Sequence, residues 1–189
     1  MRDASAIALA GGRSARFGSD KALATFRGAP LLRAVLDGLT STFAEVLVVA
    51  KRVDPYAGFG ARVVLDRSAL YTPLSGLEAG LAAASSDVVF CCAADMPFAA
   101  DGALLDALFR ALAGHDAAVP VHAGVRQPLC ALYRREACLS TASALLAHSA
   151  VGPKRLLEAV HTAFVDWPEE RPFLDADTPE QLARIESAG

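Results

Sequence analysis

The residues best suited to chemistry lie in the run Leu9-Ala10-Gly11-Gly12-Arg13-Ser14-Ala15-Arg16-Phe17-Gly18-Ser19-Asp20-Lys21. Gly11 and Gly12 carry no Cβ, so backbone N–H groups there can approach an anion closely. Arg13, Arg16 and Lys21 then place three cations within nine residues. A guanidinium offers a planar fork to phosphate oxygens, and an ammonium a compact charge. The combination reads as a polyphosphate cradle, entered through Leu9 and Ala10. The same residues also suit a solvated basic turn whose glycines serve only to reverse the chain. Two other phosphate loops do not fit, because the run contains neither G-x-G-x-x-G nor G-x-x-x-x-G-K-[ST]. A dinucleotide dehydrogenase and a P-loop hydrolase are therefore poorly supported.

Asp95 opens the second motif, Asp95-Met96-Pro97, just past the apolar run Asp87–Ala93. A carboxylate beyond a strand end suits Mg2+, a hard ion that takes oxygen ligands. Such an ion bridges a carboxylate and nucleotide phosphates and offsets charge at the α-phosphate. A turn or capping aspartate is the plainer alternative. Pro73-Leu74-Ser75-Gly76 opens a helical segment, where amides face either an anion or a simple cap. Ser75 does not sit in G-x-S-x-G, so a hydrolase elbow is not supported. The four cysteines (Cys91, Cys92, Cys130, Cys138) form no C-x-x-C and read as buried thiols. The four histidines have no metal-ligand spacing and read as surface or loop residues.

These side chains need elements to hold them. The chain has 189 residues, and 18 basic against 21 acidic side chains leave a net charge of −3. That balance argues against a duplex-coating protein, so any polyanion must be held by a few local cations. A hydrophobic share of 53% excludes intrinsic disorder. No apolar run reaches the ~18 residues a membrane span needs. The short run before Gly11 is not a signal peptide, and a cytoplasmic protein is expected. Strands are expected at Ser5–Ala10, Glu45–Ala50, Arg62–Leu65, Asp87–Ala93, Ala117–Val121, Pro128–Tyr133 and Ala163–Asp166. Helices are expected at Pro30–Leu39, Leu77–Ala84, Gly102–Ala113, Glu136–Ala147, Arg155–Val160 and Thr178–Ile185, the last capped by Asp177 or Thr178. Apolar strands alternating with helices predict an α/β fold: a single Rossmann-like domain over residues 1–189, with a mostly parallel central sheet covered by helices on both faces.

The run from Leu9 to Lys21 resembles the signature loop of the MobA-type molybdenum cofactor guanylyltransferases, nucleotidyltransferases that join a nucleotide to molybdopterin. Four further places match in the family's order: Pro73–Gly76, Asp95-Met96-Pro97, Gln127-Pro128-Leu129 leading to Tyr133, and Asp175-Ala176-Asp177-Thr178-Pro179-Glu180. The resemblance implies that GTP lies over Gly11-Gly12, with Arg16 and Lys21 on its phosphates and Arg13 helping. It implies that Asp66, Pro73, Leu74 and Gly76 face guanine and ribose, and that Asp95 holds Mg2+. Asp177 is expected as a second carboxylate near the metal. Gln127, Pro128, Lys154, Arg155 and Asp175 are expected on the molybdopterin side. Two positions depart from the pattern. Val49-Ala50-Lys51 stands where the family has an Asn after its second strand. Asp175 and Asp177 stand where it has Asn, as in cytidylyltransferase relatives, so CTP is the alternative donor. The implied partners are GTP, molybdopterin, other cofactor-synthesis proteins and molybdoenzyme chaperones, with no nucleic acid or membrane, and a monomer is expected.

Overall fold

The computed structural model describes residues 1–10 and 20–187. Gly11, Gly12, Arg13 and Arg16, all named above, lie outside the described residues. Strand β1 (Arg2–Leu9) is central, and Lys21–Leu23 forms a short 3-10 turn. A two-strand hairpin follows, β2 (Thr25–Phe26) and β3 (Ala29–Pro30). Its turn is Arg27-Gly28 with φ of 51° and 81°, the left-handed pair that a tight two-residue hairpin demands. Then come α1 (Leu31–Thr42), β4 (Phe43–Ala50), a 3-10 turn (Asp54–Phe59), β5 (Arg62–Leu65), α2 (Pro73–Ala83) and β6 (Val88–Ala93). The second half runs α3 (Gly102–Ala111), β7 (Ala117–His122), β8 (Val125–Arg126), β9 (Cys130–Arg134), α4 (Arg135–Leu146), α5 (Pro153–Ala159), β10 (Thr162–Asp166), a 3-10 turn (Arg171–Phe173) and α6 (Pro179–Ser187).

The main sheet is ordered β10-β7-β9-β6-β1-β4-β5. Strands β6, β1, β4 and β5 are mutually parallel, as are β10 and β7. Only β9 runs against its neighbours along that order. The fold is therefore the expected α/β class with a mostly parallel sheet. Expected boundaries moved by a few residues at most elements. The largest change is at α2, which begins at Pro73 rather than Leu77 because Thr72 caps it. The hairpin β2–β3 and strand β8 were not expected, each being only two residues per strand.

Alternation along the strands splits the core into two layers. Ala4, Ala6 and Ala8 of β1 face α1 and α3, through Leu32, Val35, Leu104 and Leu108. Ile7 of β1 faces α2, α4 and α5, through Leu77, Leu81, Cys138 and Leu156. Fully burying one such leucine contributes roughly 1.5–3 kcal/mol. Helix α2 lies unusually close to β1. A Cβ on Gly80 would fall 2.4 Å from Ile7 Cδ1, and one on Gly76 would fall 3.3 Å from Leu9 Cδ2. All four cysteines are free and buried, as expected. Among the described residues no helix is long and apolar enough to cross a membrane.

Candidate active site at the carboxyl end of the sheet

The chain leaves β1 for β4 and β5 on one side, then crosses through α2 to β6 on the other. Strand order reverses at β1, and a crevice forms at the carboxyl ends beside such a reversal. The structure has a cavity of about 560 Å³ there. Its floor comes from four strand ends: Leu9-Ala10 after β1, Val49-Ala50-Lys51 after β4, Asp66 after β5, and Ala93-Ala94-Asp95 after β6. Backbone bonds tie these ends together, Ala10 N to Val49 O at 2.8 Å and Ala94 N to Leu9 O at 2.9 Å. Thr72, Pro73 and Gly76 of the α2 start form one wall, and Asp175 and Asp177 the opposite one.

Lys21 is the cation at the centre of the described site. Asp20 fixes it from the preceding position, capping the 3-10 turn through the Ala22 amide at 3.1 Å. Asp20 also accepts from the buried Tyr56 hydroxyl. The Lys21 ammonium then donates to Asp95 Oδ2 at 2.8 Å and to Asp177 Oδ1. Burial works to lower its pKa, but the bonds and charges of Asp177 and Asp95 leave it above the ordinary value. Asp95 is held by its place just past β6, with Met96 buried beneath. Asp177 is free to turn inward because Thr178 does the capping of α6: its hydroxyl accepts from the Gln181 amide at 3.2 Å. Ala176, between the two aspartates, is fully buried against Phe26, Leu31 and Ile185. That plug sets Asp175 and Asp177 at the cavity wall. Burial and the charges of Asp177 and Asp95 push the Asp175 carboxyl up to about 6.

Asp66 is only 6% exposed and sits at the other end of the cavity. Its Oδ2 accepts from the Ser75 hydroxyl at 2.8 Å and forms an ion pair with the Lys51 ammonium at 2.8 Å, and its Oδ1 accepts from the Ser68 amide at 2.9 Å. The Ser75 amide is already taken by Thr72, so the start of α2 does not offer it to a ligand. Leu74 corrects the sequence expectation. Its side chain is fully buried in the core and does not line the cavity. Pro73 and Gly76 do line it. Gln127 and Pro128 form the turn into β9, where the Gln127 amide reaches Pro120 O at 2.9 Å and Pro128 O receives the Tyr133 hydroxyl at 2.6 Å. Neither lines the cavity, although their neighbour Leu129 does. Lys154 and Arg155 begin α5, away from the cavity, and Arg155 pairs with Glu158 at 2.5 Å. Sequence reasoning missed Asp20, Lys51 and Tyr71, all of which line it.

The described donor set suits a hard cation shared with phosphates. Two carboxylates, Asp95 and Asp177, already converge on one ammonium. Among the described residues no group of three or more His, Cys, Asp or Glu is arranged as a metal cage. An ion that arrives on a nucleotide needs only one or two protein carboxylates, since phosphate and water oxygens complete its shell.

Comparison with known proteins gives the lineage. A molybdenum cofactor guanylyltransferase of Cereibacter sphaeroides is 37% identical over 191 residues, covering 96% of this chain and 94% of that protein. Another, from Burkholderia ambifaria, is 36% identical over 197 residues, covering 95% and 93%. The crystal structure of molybdopterin-guanine dinucleotide biosynthesis protein A from Archaeoglobus fulgidus superposes with a TM-score of 0.80 at 23% identity, covering 98% and 97%. At that identity it speaks to the fold alone. Residues 6–164 match the MobA-like NTP transferase domain, and the chain belongs to that family of nucleotidyltransferases.

Proposed function

We propose that the chain is a molybdenum cofactor guanylyltransferase, acting as one domain over residues 1–189. It transfers GMP from GTP to the terminal phosphate of molybdopterin, giving molybdopterin guanine dinucleotide and pyrophosphate. The observation that carries this reading is the convergence of Lys21, Asp95 and Asp177 on a cavity at the sheet's carboxyl end. The near full-length identity with guanylyltransferases supports the choice of substrates.

Each residue then has a task. Lys21, Arg13 and Arg16 bind the phosphates of GTP. Leu9, Ala10, Gly11 and Gly12 carry the nucleotide. Asp66, Pro73 and Gly76 face the base and ribose. Asp95 and Asp177 are the residues that would hold Mg2+, which would neutralise charge on the phosphates. Gln127, Pro128 and Asp175 belong to the acceptor's side. The acceptor phosphate attacks the α-phosphorus, a P–O bond forms, and pyrophosphate departs in line with the pair of electrons from the broken bond. The attacking oxygen is already charged at neutral pH, so the site needs no general base. Positioning and electrostatic stabilisation carry the rate.

The test is incubation with molybdopterin, Mg2+ and either GTP or CTP, followed by mass detection of the dinucleotide. The guanine dinucleotide is the expected product. The aspartates at 175 and 177 favour the cytidine alternative, and its dinucleotide as the sole product would replace the donor. Neither product would remove the proposed reaction.

A further inference from the structure

The Lys51 ammonium ties down one short stretch of chain by two hydrogen bonds to carbonyls and one ion pair. Its Nζ lies 2.7 Å from Ser68 O, 2.6 Å from Leu70 O and 2.8 Å from Asp66 Oδ2. The stretch is braced a second time from within. The Ser68 amide reaches Asp66 Oδ1 at 2.9 Å, and the Leu70 amide reaches the Ser68 hydroxyl at 3.1 Å. Residues 66–70 are thus pinned from inside the cavity by a cation that stands on the end of β4. Tyr71 comes next, with its ring centroid 5.1 Å from the same Nζ. Its side chain lines the cavity, and the residue is 60% exposed, an uncommon state for a large aromatic ring.

The sheet order separates this ring from the phosphate-facing cation. Lys21 is held on the β6 side through Asp95, whereas Tyr71 is held on the β4–β5 side through Lys51, with β1 between. A nucleoside triphosphate lying across the end of β1 with its phosphates at Lys21 brings its base toward Tyr71. A ring whose backbone is already fixed costs less ordering entropy when it meets a ligand. Bases present a flat π-face and stack well on such rings.

We propose that Tyr71 is the platform on which the nucleotide's base packs, and that Lys51 is the positioning residue that sets it. The inference rests on the cavity being a nucleotide site. It assigns affinity for the base to the ring and leaves the choice between guanine and other bases to hydrogen-bonding groups.

Equilibrium binding of GTP and of inorganic tripolyphosphate, measured by calorimetry on the full chain, tests it. Tyr71→Ala weakens GTP binding at least ~10-fold, on the usual scale of base stacking, and leaves tripolyphosphate binding unchanged because that ligand has no base. Tyr71→Phe restores most of the GTP affinity, since the ring and not the hydroxyl does the packing. Lys51→Met shows the same selective loss in milder form. Undiminished GTP binding by Tyr71→Ala overturns the proposal, as does an equal loss for both ligands. Absence of GTP binding by the unaltered chain refutes instead the nucleotide reading on which the proposal stands.

Discussion

The two ends of the sheet treat their carboxylates in opposite ways. At the amino end, Glu45 Oε2 accepts from the Ser5 hydroxyl at 2.6 Å, the Ser85 amide at 2.8 Å and the Ser85 hydroxyl at 2.9 Å. Arg62 stands 3.8 Å from its other oxygen. Burial alone would raise this carboxyl, but those donors hold it below its ordinary value. At the carboxyl end, Asp95 and Asp177 close on the Lys21 ammonium, and Asp175 nearby is driven up to about 6 by burial and its like-charged neighbours. The first arrangement stabilises the folded chain. The second stores negative charge beside a cation at the mouth of a cavity, which a divalent ion and a polyphosphate can use. Both stand at the ends of the same sheet, so the difference comes from the neighbours that each carboxylate meets.

Removing a carboxylate at each end separates the two roles. The largest effect is expected for Asp95→Ala, which lowers turnover at least ~100-fold on the scale of electrostatic catalysis. Its thermal midpoint changes little. Pyrophosphate release checks the first point and a melting curve the second, and near-normal turnover would falsify the role given to Asp95. Asp177→Asn comes next. It raises the Mg2+ concentration needed for half-maximal turnover by ~10-fold, the scale seen when a group supporting a metal site is lost. An unchanged Mg2+ titration takes Asp177 out of the metal's reach.

Glu45→Gln has the smallest effect, and of a different kind. Turnover stays as it was, while stability falls by about 1 kcal/mol, the net worth of a partly solvated hydrogen-bonded charge. The loss depends on pH in a defined direction. Because the folded carboxyl titrates below its unfolded value, the ionised group contributes fully above roughly pH 4.3. That contribution fades as the pH falls through the lower folded value. Urea midpoints of the two proteins should therefore converge in acid. A gap that widens there would contradict the lowered folded-state value assigned to Glu45.

Much of the sheet was legible because its strands are continuous apolar runs and its helices carry leucines at regular spacing. Leu9, Ala10, Lys21, Asp66, Asp95 and Asp177 were named from motifs, and all line the cavity. What was not legible depends on distant partners. The Lys21–Asp177 pair spans 156 residues, and no local spacing announces it. The role of Lys51 emerges only when β5 places Asp66 beside it. That of Asp20 emerges only when Tyr56 reaches it from another loop. Leu74 misled in the other direction, because a residue within a binding motif can be there to fill the core.

Calorimetric titration of the chain with GTP in the presence of Mg2+ most directly tests the claim that this end of the sheet grips a nucleoside triphosphate. Saturable binding is predicted, competed by pyrophosphate and weakened by ~10-fold or more in Lys21→Ala, the usual cost of losing a charged hydrogen bond. No saturable heat, or binding indifferent to the loss of Lys21, would contradict it.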